Sequence, residues 1–111
     1  MRLDQTELPG GILKVKLSGA LDLAGAADVE VPFGAIAAKN DKVIVDFTDL
    51  SFLASIGIRV LVKAARAIGA RNGRLVVFNP SDDARKVLRS TGIDAIIPVV
   101  ADQNAAIAAC T

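Results

Sequence analysis

The sequence predicts a single small α/β domain with a mixed, mostly parallel sheet of four to five strands and four helices. Three observations lead to this fold class. The chain has 111 residues, enough for one domain and one core. Its apolar fraction of 52% is that of a globular protein. Short apolar runs alternate with longer segments of helical periodicity, and no repeat or linker divides them, so residues 1–111 are expected to form one domain.

The first two predicted strands form a hairpin. Leu13–Ser18 alternates apolar and polar residues, as does a strand that is buried on one face. Pro9-Gly10-Gly11 predicts a turn before it, which makes Arg2–Leu8 the expected partner strand. The alanine-rich stretch Ala24–Ala38 follows as a helix, in which Pro32 is expected to cause a kink or a restart.

The middle of the chain predicts a strand, a long helix and a second strand. Lys42–Phe47 is a short apolar run, typical of a central strand that is covered on both faces. Ile56–Ala70 has apolar residues along one side and basic residues along the other, which indicates an amphipathic helix. The chain then turns at Asn72-Gly73 and returns as the strand Arg74–Phe78.

The last third predicts two helices with a short strand between them. Pro80–Asp83 contains a candidate N-cap and two acids for a first helical turn, and Thr91-Gly92 ends that helix. Ala95–Val100 is expected as a strand, which Pro98 confines to an edge or to its own end. Asp102–Ala109 completes the order β-β-α-β-α-β-α-β-α as an alanine-rich helix.

The composition excludes several classes of function. Thirteen basic and twelve acidic residues leave a net charge of +1, too balanced for a nucleic-acid binder or an anionic-membrane binder. The chain has no histidine, which removes Ser-His and Cys-His catalysis and imidazole metal sites. Its one cysteine, Cys110, indicates a reducing compartment, and no apolar stretch approaches the roughly 20 residues of a membrane helix. We therefore expect a cytoplasmic protein without membrane insertion.

Two segments carry parts of enzyme signatures. Leu53–Gly57 lies between a strand and a helix, as a hydrolase nucleophile elbow does, but that elbow needs glycine where Leu53 stands. Asp46 and Asp49 flank Thr48, yet two carboxylates without a third ligand make a poor Mg²⁺ site. No enzymatic activity, cofactor or metal is therefore expected.

The most informative segment is Val45–Ile58, which resembles the STAS domain family of bacterial anti-sigma factor antagonists and sulphate-transporter tails. The family pattern is a strand ending in an acid, a Leu-Ser-Phe loop, and Asp-Ser-Ser/Thr-Gly at a helix start. Ser18–Asp22 resembles the family's Gly-Glu-Leu-Asp turn, with alanine in place of glutamate. Asn72–Val77 and Leu88–Ile93 fall where the family has a glycine before a strand and a Leu-x-x-x-Gly-Leu helix exit. The resemblance covers about Leu13–Ala109.

This resemblance implies a regulatory binding module in a partner-switching circuit. In that scheme the unmodified domain binds an anti-sigma factor that is also a Ser/Thr kinase, and phosphorylation of a serine at a helix start breaks the complex. Matched residue by residue, that serine is Ser55. A phosphate there would lie at a helix N-terminus, where free N–H groups and the helix dipole favour an anion. The plain alternative, compatible with the first, is that Ser55 is an ordinary N-cap.

The expected partner-binding surface surrounds Ser55. Its predicted members are Asp22, Asp46, Thr48, Leu53, Ala54, Ile56, Gly57 and Ile58. The two acids are expected at strand ends close to Ser55, with a turn or a helix cap as the plain alternative. The three large aliphatic members supply apolar contact area if they are exposed.

Two departures from the family pattern bear on the predicted switch. Ala54 stands where most phosphorylated members have Asp, and Ile56 stands where they have Ser or Thr. An acid before the serine would help a kinase align the hydroxyl. Its absence favours the alternative of a constitutive STAS interaction subunit in a transport or signalling assembly. The stripe Arg59, Lys63 and Arg66 is either a contact for an acidic partner or a solvated helix face, and a weak homodimer is also compatible with the sequence.

Overall fold

The computed structural model describes residues 1–111, which form one six-stranded sheet and four α-helices. The strands are β1 (Arg2–Leu8), β2 (Ile12–Leu21), β3 (Lys42–Asp46), β4 (Leu50–Leu53), β5 (Arg74–Phe78) and β6 (Val99–Val100). The helices are α1 (Leu23–Lys39), α2 (Ser55–Gly69), α3 (Asp82–Ser90) and α4 (Gln103–Cys110), with a 3₁₀ turn at Ile93–Ala95. The predicted fold class is confirmed.

The sheet is mixed and mostly parallel. Its order is β1-β2-β3-β5-β6, with β1 antiparallel to β2 and the other neighbours parallel. The predicted hairpin pairs Leu8 with Ile12, across a turn in which Gly10 and Gly11 both have positive φ. Strand β4 pairs in parallel with the last residues of β2, beyond the part of β2 that pairs with β3. Strand β2 therefore pairs with three other strands, β1, β3 and β4.

Helices cover both faces of the central strands. A cluster of 24 buried residues lies between the sheet and α1, α2 and α3, with Phe33, Phe47 and Leu61 fully buried in it. A smaller cluster lies under α4 and includes Ile44 and Cys110. Because successive strand residues point to opposite faces, both faces of β3 are buried, as its uninterrupted apolar run predicts.

Helix α1 differs from the prediction at Pro32. The helix runs without a break from Leu23 to Lys39, so the expected restart does not occur. Proline removes one backbone hydrogen bond from a helix interior. Here Val29, Phe33 and Ile36 are buried on both sides of Pro32 and hold the two halves of the helix against the same core.

The sequence pattern missed β4 and overextended the last strand. Strand β4 has only four residues, and both of its ends are buried, so no alternation of apolar and polar residues marks it. In the C-terminal third the strand is confined to Val99–Val100, because Ile93–Ala95 forms a 3₁₀ turn and Pro98 separates the two. Cys110 is buried against the sheet, so it belongs to the core of the fold.

Candidate functional site

The carboxyl ends of the parallel strands meet at one edge of the sheet. All four α-helices begin at this edge, since α1, α2, α3 and α4 follow β2, β4, β5 and β6 in the chain. In open α/β sheets, ligands bind outside the carboxyl ends of the strands. Ser55, the residue predicted for phosphorylation, is the first residue of α2 at this edge.

Ser55 has an exposed side chain whose hydroxyl makes no hydrogen bond within the protein. The N-cap of α2 is Ala54, whose methyl group cannot accept a hydrogen bond, so no side chain caps this helix. The amides of Gly57 and Ile58 donate to the Ala54 carbonyl oxygen at 3.0 and 3.2 Å. The alternative that Ser55 is the N-cap is therefore wrong. Helix α2 begins at Ser55 and not at the predicted Ile56, so Ala54 is the N-cap and the Ser55 hydroxyl stays free.

The start of α2 is hydrogen-bonded to the end of β2 and packed against it. The amide of Ala54 donates to the carbonyl oxygen of Leu21 at 3.0 Å. Gly57 is buried at the same place, where a Cβ atom would stand 2.9 Å from the Leu21 oxygen and nearer still to its side chain. Glycine thus permits the close approach of helix and strand, and Gly57 is buried in that contact.

Asp22 lies beside this junction and caps α1. It follows Leu21 directly, and its carboxylate accepts a hydrogen bond from the Gly25 amide at 2.9 Å. The cap interpretation of Asp22 agrees with the structure. Because Leu21 also bonds to Ala54, Asp22 lies near the start of α2, as expected.

Asp46 lies on the other face of the sheet. It is 5% exposed, its carboxylate accepts from both the amide and the hydroxyl of Thr48, and the Lys14 ammonium is 3.8 Å away. The Thr48 hydroxyl in turn accepts from the Asn79 amide group at 2.9 Å. By strand alternation Asp46 shares its face of the sheet with Ile44 and not with Val45, which faces α2. The structure makes Asp46 a buried turn former and leaves Thr48 exposed beside it.

The exposed apolar residues at this edge are not the predicted ones. Leu53 and Ile58 are only 4% and 6% exposed, so neither meets the condition of exposure under which apolar contact area was expected from them, and Ile56 is half-buried. Phe52 is 57% exposed and Leu23 is 73% exposed. No sequence signal marked Phe52 as exposed, because the four residues of β4 show no alternation of buried and exposed positions.

A groove of about 340 Å³ runs between α1 and α2 beside the site. Its wall includes the residues Leu23, Ile56, Val60, Glu30, Arg59 and Lys63. The ammonium of Lys63 lies 4.0 Å from the Glu30 carboxylate. Arg59 has no acidic partner within that distance. The groove therefore has apolar walls and more positive than negative charge at its rim.

The pKa values of Lys16 and Cys110 are both raised. A hydrogen bond from Lys16 to Asp49, at 2.9 Å, together with the attraction between their charges raises the pKa of the exposed lysine. Burial under α4 raises the pKa of the Cys110 thiol, with a small opposing effect from Lys42 and Arg74.

The structure is a small α/β domain in which the carboxyl edge of the sheet presents a free serine hydroxyl and exposed apolar side chains. The chain belongs to the STAS domain family, whose model matches residues 5–106. The family is regulatory, and this chain has the fold of its anti-sigma factor antagonists. None of its helices combines the length and hydropathy that crossing a bilayer requires.

Individual relatives agree with this family. BtrV of Bordetella bronchiseptica, provisionally named an anti-sigma factor antagonist, is 30% identical over 100 residues, which are 89% of this chain and 86% of BtrV. An anti-sigma factor antagonist from Mycobacterium paratuberculosis has 24% identity and a TM-score of 0.85, over 98% of this chain and 94% of that one. Unphosphorylated SpoIIAA, a Bacillus cell fate determinant, has 23% identity and a TM-score of 0.79, over 96% and 93% of the two chains. The two solved structures are similar to this chain in fold.

Proposed function

We propose that this protein is a cytoplasmic anti-sigma factor antagonist. It binds an anti-sigma factor that is also a Ser/Thr kinase, and phosphorylation of Ser55 ends the binding. The observation that carries this proposal is the exposed, unbonded hydroxyl of Ser55 at the first residue of α2. The names of BtrV and of the solved relatives support the antagonist role, and the name of phosphorylated SpoIIAA supports a phosphorylated form.

The position of Ser55 explains how one modification separates two proteins without unfolding either. Phosphorylation adds a charge of about −1.5 to −2, which the positive end of the α2 dipole favours. The domain therefore tolerates the phosphate. A partner that packs over Ser55 against the exposed Phe52 and Leu23 would have to bury that charge beside apolar surface, which is costly. The protein regulates by binding alone and needs no catalytic group of its own.

The test is phosphorylation and binding with the kinase purified from the same cells. Wild type incubated with this kinase and ATP should gain one phosphate on the Ser55 peptide by tandem mass spectrometry, and Ser55→Ala should gain none. Ser51→Ala is the matched control, because Ser51 is an exposed serine on the adjoining strand and its loss should leave the phosphorylation unchanged. Phosphate on another residue in wild type would contradict the proposal.

Binding is measured with the same variants by calorimetry. Ser55→Asp should lose affinity for the kinase, whereas Ser51→Asp should lose much less. Equal affinity of Ser55→Asp and wild type would contradict the switch.

A second candidate function is a constitutive interaction subunit of a transport or signalling assembly. The observation that favours it is Ala54, which leaves α2 without the side-chain cap and without the acid of the family pattern. This candidate predicts an unmodified Ser55 in cells under all growth conditions. It also predicts that Ser55→Asp binds its partner as tightly as wild type does, so the same calorimetry separates the two functions.

A further inference from the structure

Arg59 lies on α2 one turn beyond Ser55. The two residues are four apart in the same helix, which puts them on one face with their Cβ atoms about 5–6 Å from each other. Both side chains are exposed. In such pairs the favourable order has the negative group nearer the helix N-terminus, which is the order that a phosphate on Ser55 would create.

The guanidinium of Arg59 has no acidic partner in the unmodified protein. Lys63, the next basic residue on this face, has Glu30 at 4.0 Å, but no carboxylate lies within that distance of Arg59. Arg59 also lines the groove between α1 and α2, beside Leu23 and Ile56. A guanidinium matches the geometry of a phosphate group and binds it through two parallel hydrogen bonds.

We propose that Arg59 is the internal counter-ion of a phosphate on Ser55. This inference rests on the proposed phosphorylation of Ser55 and adds a role for the rim of the groove between α1 and α2. In the unmodified protein Arg59 presents a free positive charge at the groove rim, where an acidic side chain of the partner can pair with it. A phosphate on Ser55 pairs with that guanidinium, which is then no longer free to bind an acidic side chain of the partner at the groove rim. One modification then acts twice, by adding a negative charge at Ser55 and by withdrawing a positive charge one turn away.

The test installs phosphoserine at position 55 during translation, using an expanded genetic code, so that no kinase is required. The phosphate is followed by ³¹P NMR from pH 4 to pH 8 in wild type, Arg59→Gln and Arg66→Gln. A nearby cation favours the dianion, so Arg59→Gln should raise the midpoint of the titration by about half a pH unit. The other charged groups at this end of the domain, namely Asp22, Glu30 and Lys63, are the same in all three proteins.

Arg66→Gln is the matched control. Arg66 has the same charge on the same helix face but lies eleven residues from Ser55, about 16 Å along the axis and beyond the screening length at physiological salt. Its removal should leave the midpoint unchanged. Equal midpoints for wild type and Arg59→Gln, or equal shifts in both variants, would overturn the proposal.

This outcome is independent of the proposed function. If cells never phosphorylate Ser55, the antagonist switch fails while the NMR comparison still decides the ion pair. If the ion pair is absent, the switch is still decided by phosphorylation and binding of the Ser55 variants.

Discussion

Helix α2 begins without a side-chain cap, and this predicts that Ala54→Asp stabilises the protein. Helices α1, α3 and α4 begin with Asp22, Ser81 and Asp102, each of which accepts a hydrogen bond from a first-turn amide at 2.8 to 3.1 Å. Ala54 makes no such bond. Its backbone has φ −99° and ψ 164°, the extended conformation that Asp22 also has, so an aspartate can take this position without strain.

The start of α1 serves as an internal model for the size of the effect. Asp22 caps α1 through the amide of Gly25, three residues on, and position 54 has Gly57 at the same spacing. Replacing alanine with a capping residue contributes about 0.5–2 kcal/mol, typically about 1. For a domain of this size, 1 kcal/mol corresponds to a rise in Tm of about 4–8 °C.

The assay is urea and thermal unfolding followed by far-UV circular dichroism, since the chain has neither Trp nor Tyr for fluorescence. Ala54→Asn separates the hydrogen bond from the charge, because it caps without adding a negative group at the helix dipole. Asp22→Ala should lose a comparable amount at α1. If Ala54→Asp and Ala54→Asn both left the free energy of unfolding unchanged while Asp22→Ala lowered it, the reasoning from the missing cap would be refuted.

Three further predictions concern the packing of Gly57, the burial of Cys110 and the ionisation of the Cys110 thiol. Gly57→Ala should lower the free energy of unfolding by about 1–3 kcal/mol, because the added Cβ would overlap Leu21. Gly69→Ala, on the same helix, places its Cβ in open space and should not destabilise the protein. Equal unfolding midpoints for the two variants would contradict this prediction. Buried Cys110 should react with a thiol reagent far more slowly in the native protein than in urea, and comparable rates would show that α4 does not protect it. Because its pKa is raised by folding, the stability that Cys110 contributes is present below its ordinary value of 9.0 and is lost as the pH rises beyond it, so the alkaline decline in Tm should be smaller in Cys110→Ala.

The elements that sequence reasoning placed well are those whose signals are local. The alternation in Leu13–Ser18, the apolar run of β3 and the stripe of α2 each reflect a periodicity that one element imposes on its own residues. Caps behave similarly, since Ser81 begins α3 by bonding to an amide only three residues away. The position of Ser55 at a helix start followed from the same local signals, together with the family pattern.

The differences arise where a residue's role depends on what packs against it. Leu53 and Ile58 belong to the main core, while the neighbouring Phe52 faces solvent. The amino-acid composition of this segment does not reveal which of its apolar side chains the rest of the fold covers. Asp46 was expected close to Ser55 because it stands at a strand end, but the alternation of β3 turns its side chain to the face that Ile44 shares. Strand β4 has too few residues for a periodicity and exists because β2 extends far enough to pair with it.

The sequence by itself determined the α/β class, the family and the serine at the start of α2, because backbone periodicity, caps and motif spacing depend on residues close together in the chain. Only the tertiary structure decided which side chains surround that serine. Burial and charge pairing depend on segments distant in sequence. For example, the Leu21 carbonyl oxygen accepts a hydrogen bond from the Ala54 amide, and the Lys63 ammonium lies 4.0 Å from the Glu30 carboxylate. The free guanidinium of Arg59 is a property of this second kind, since it depends on where every carboxylate of the folded chain lies.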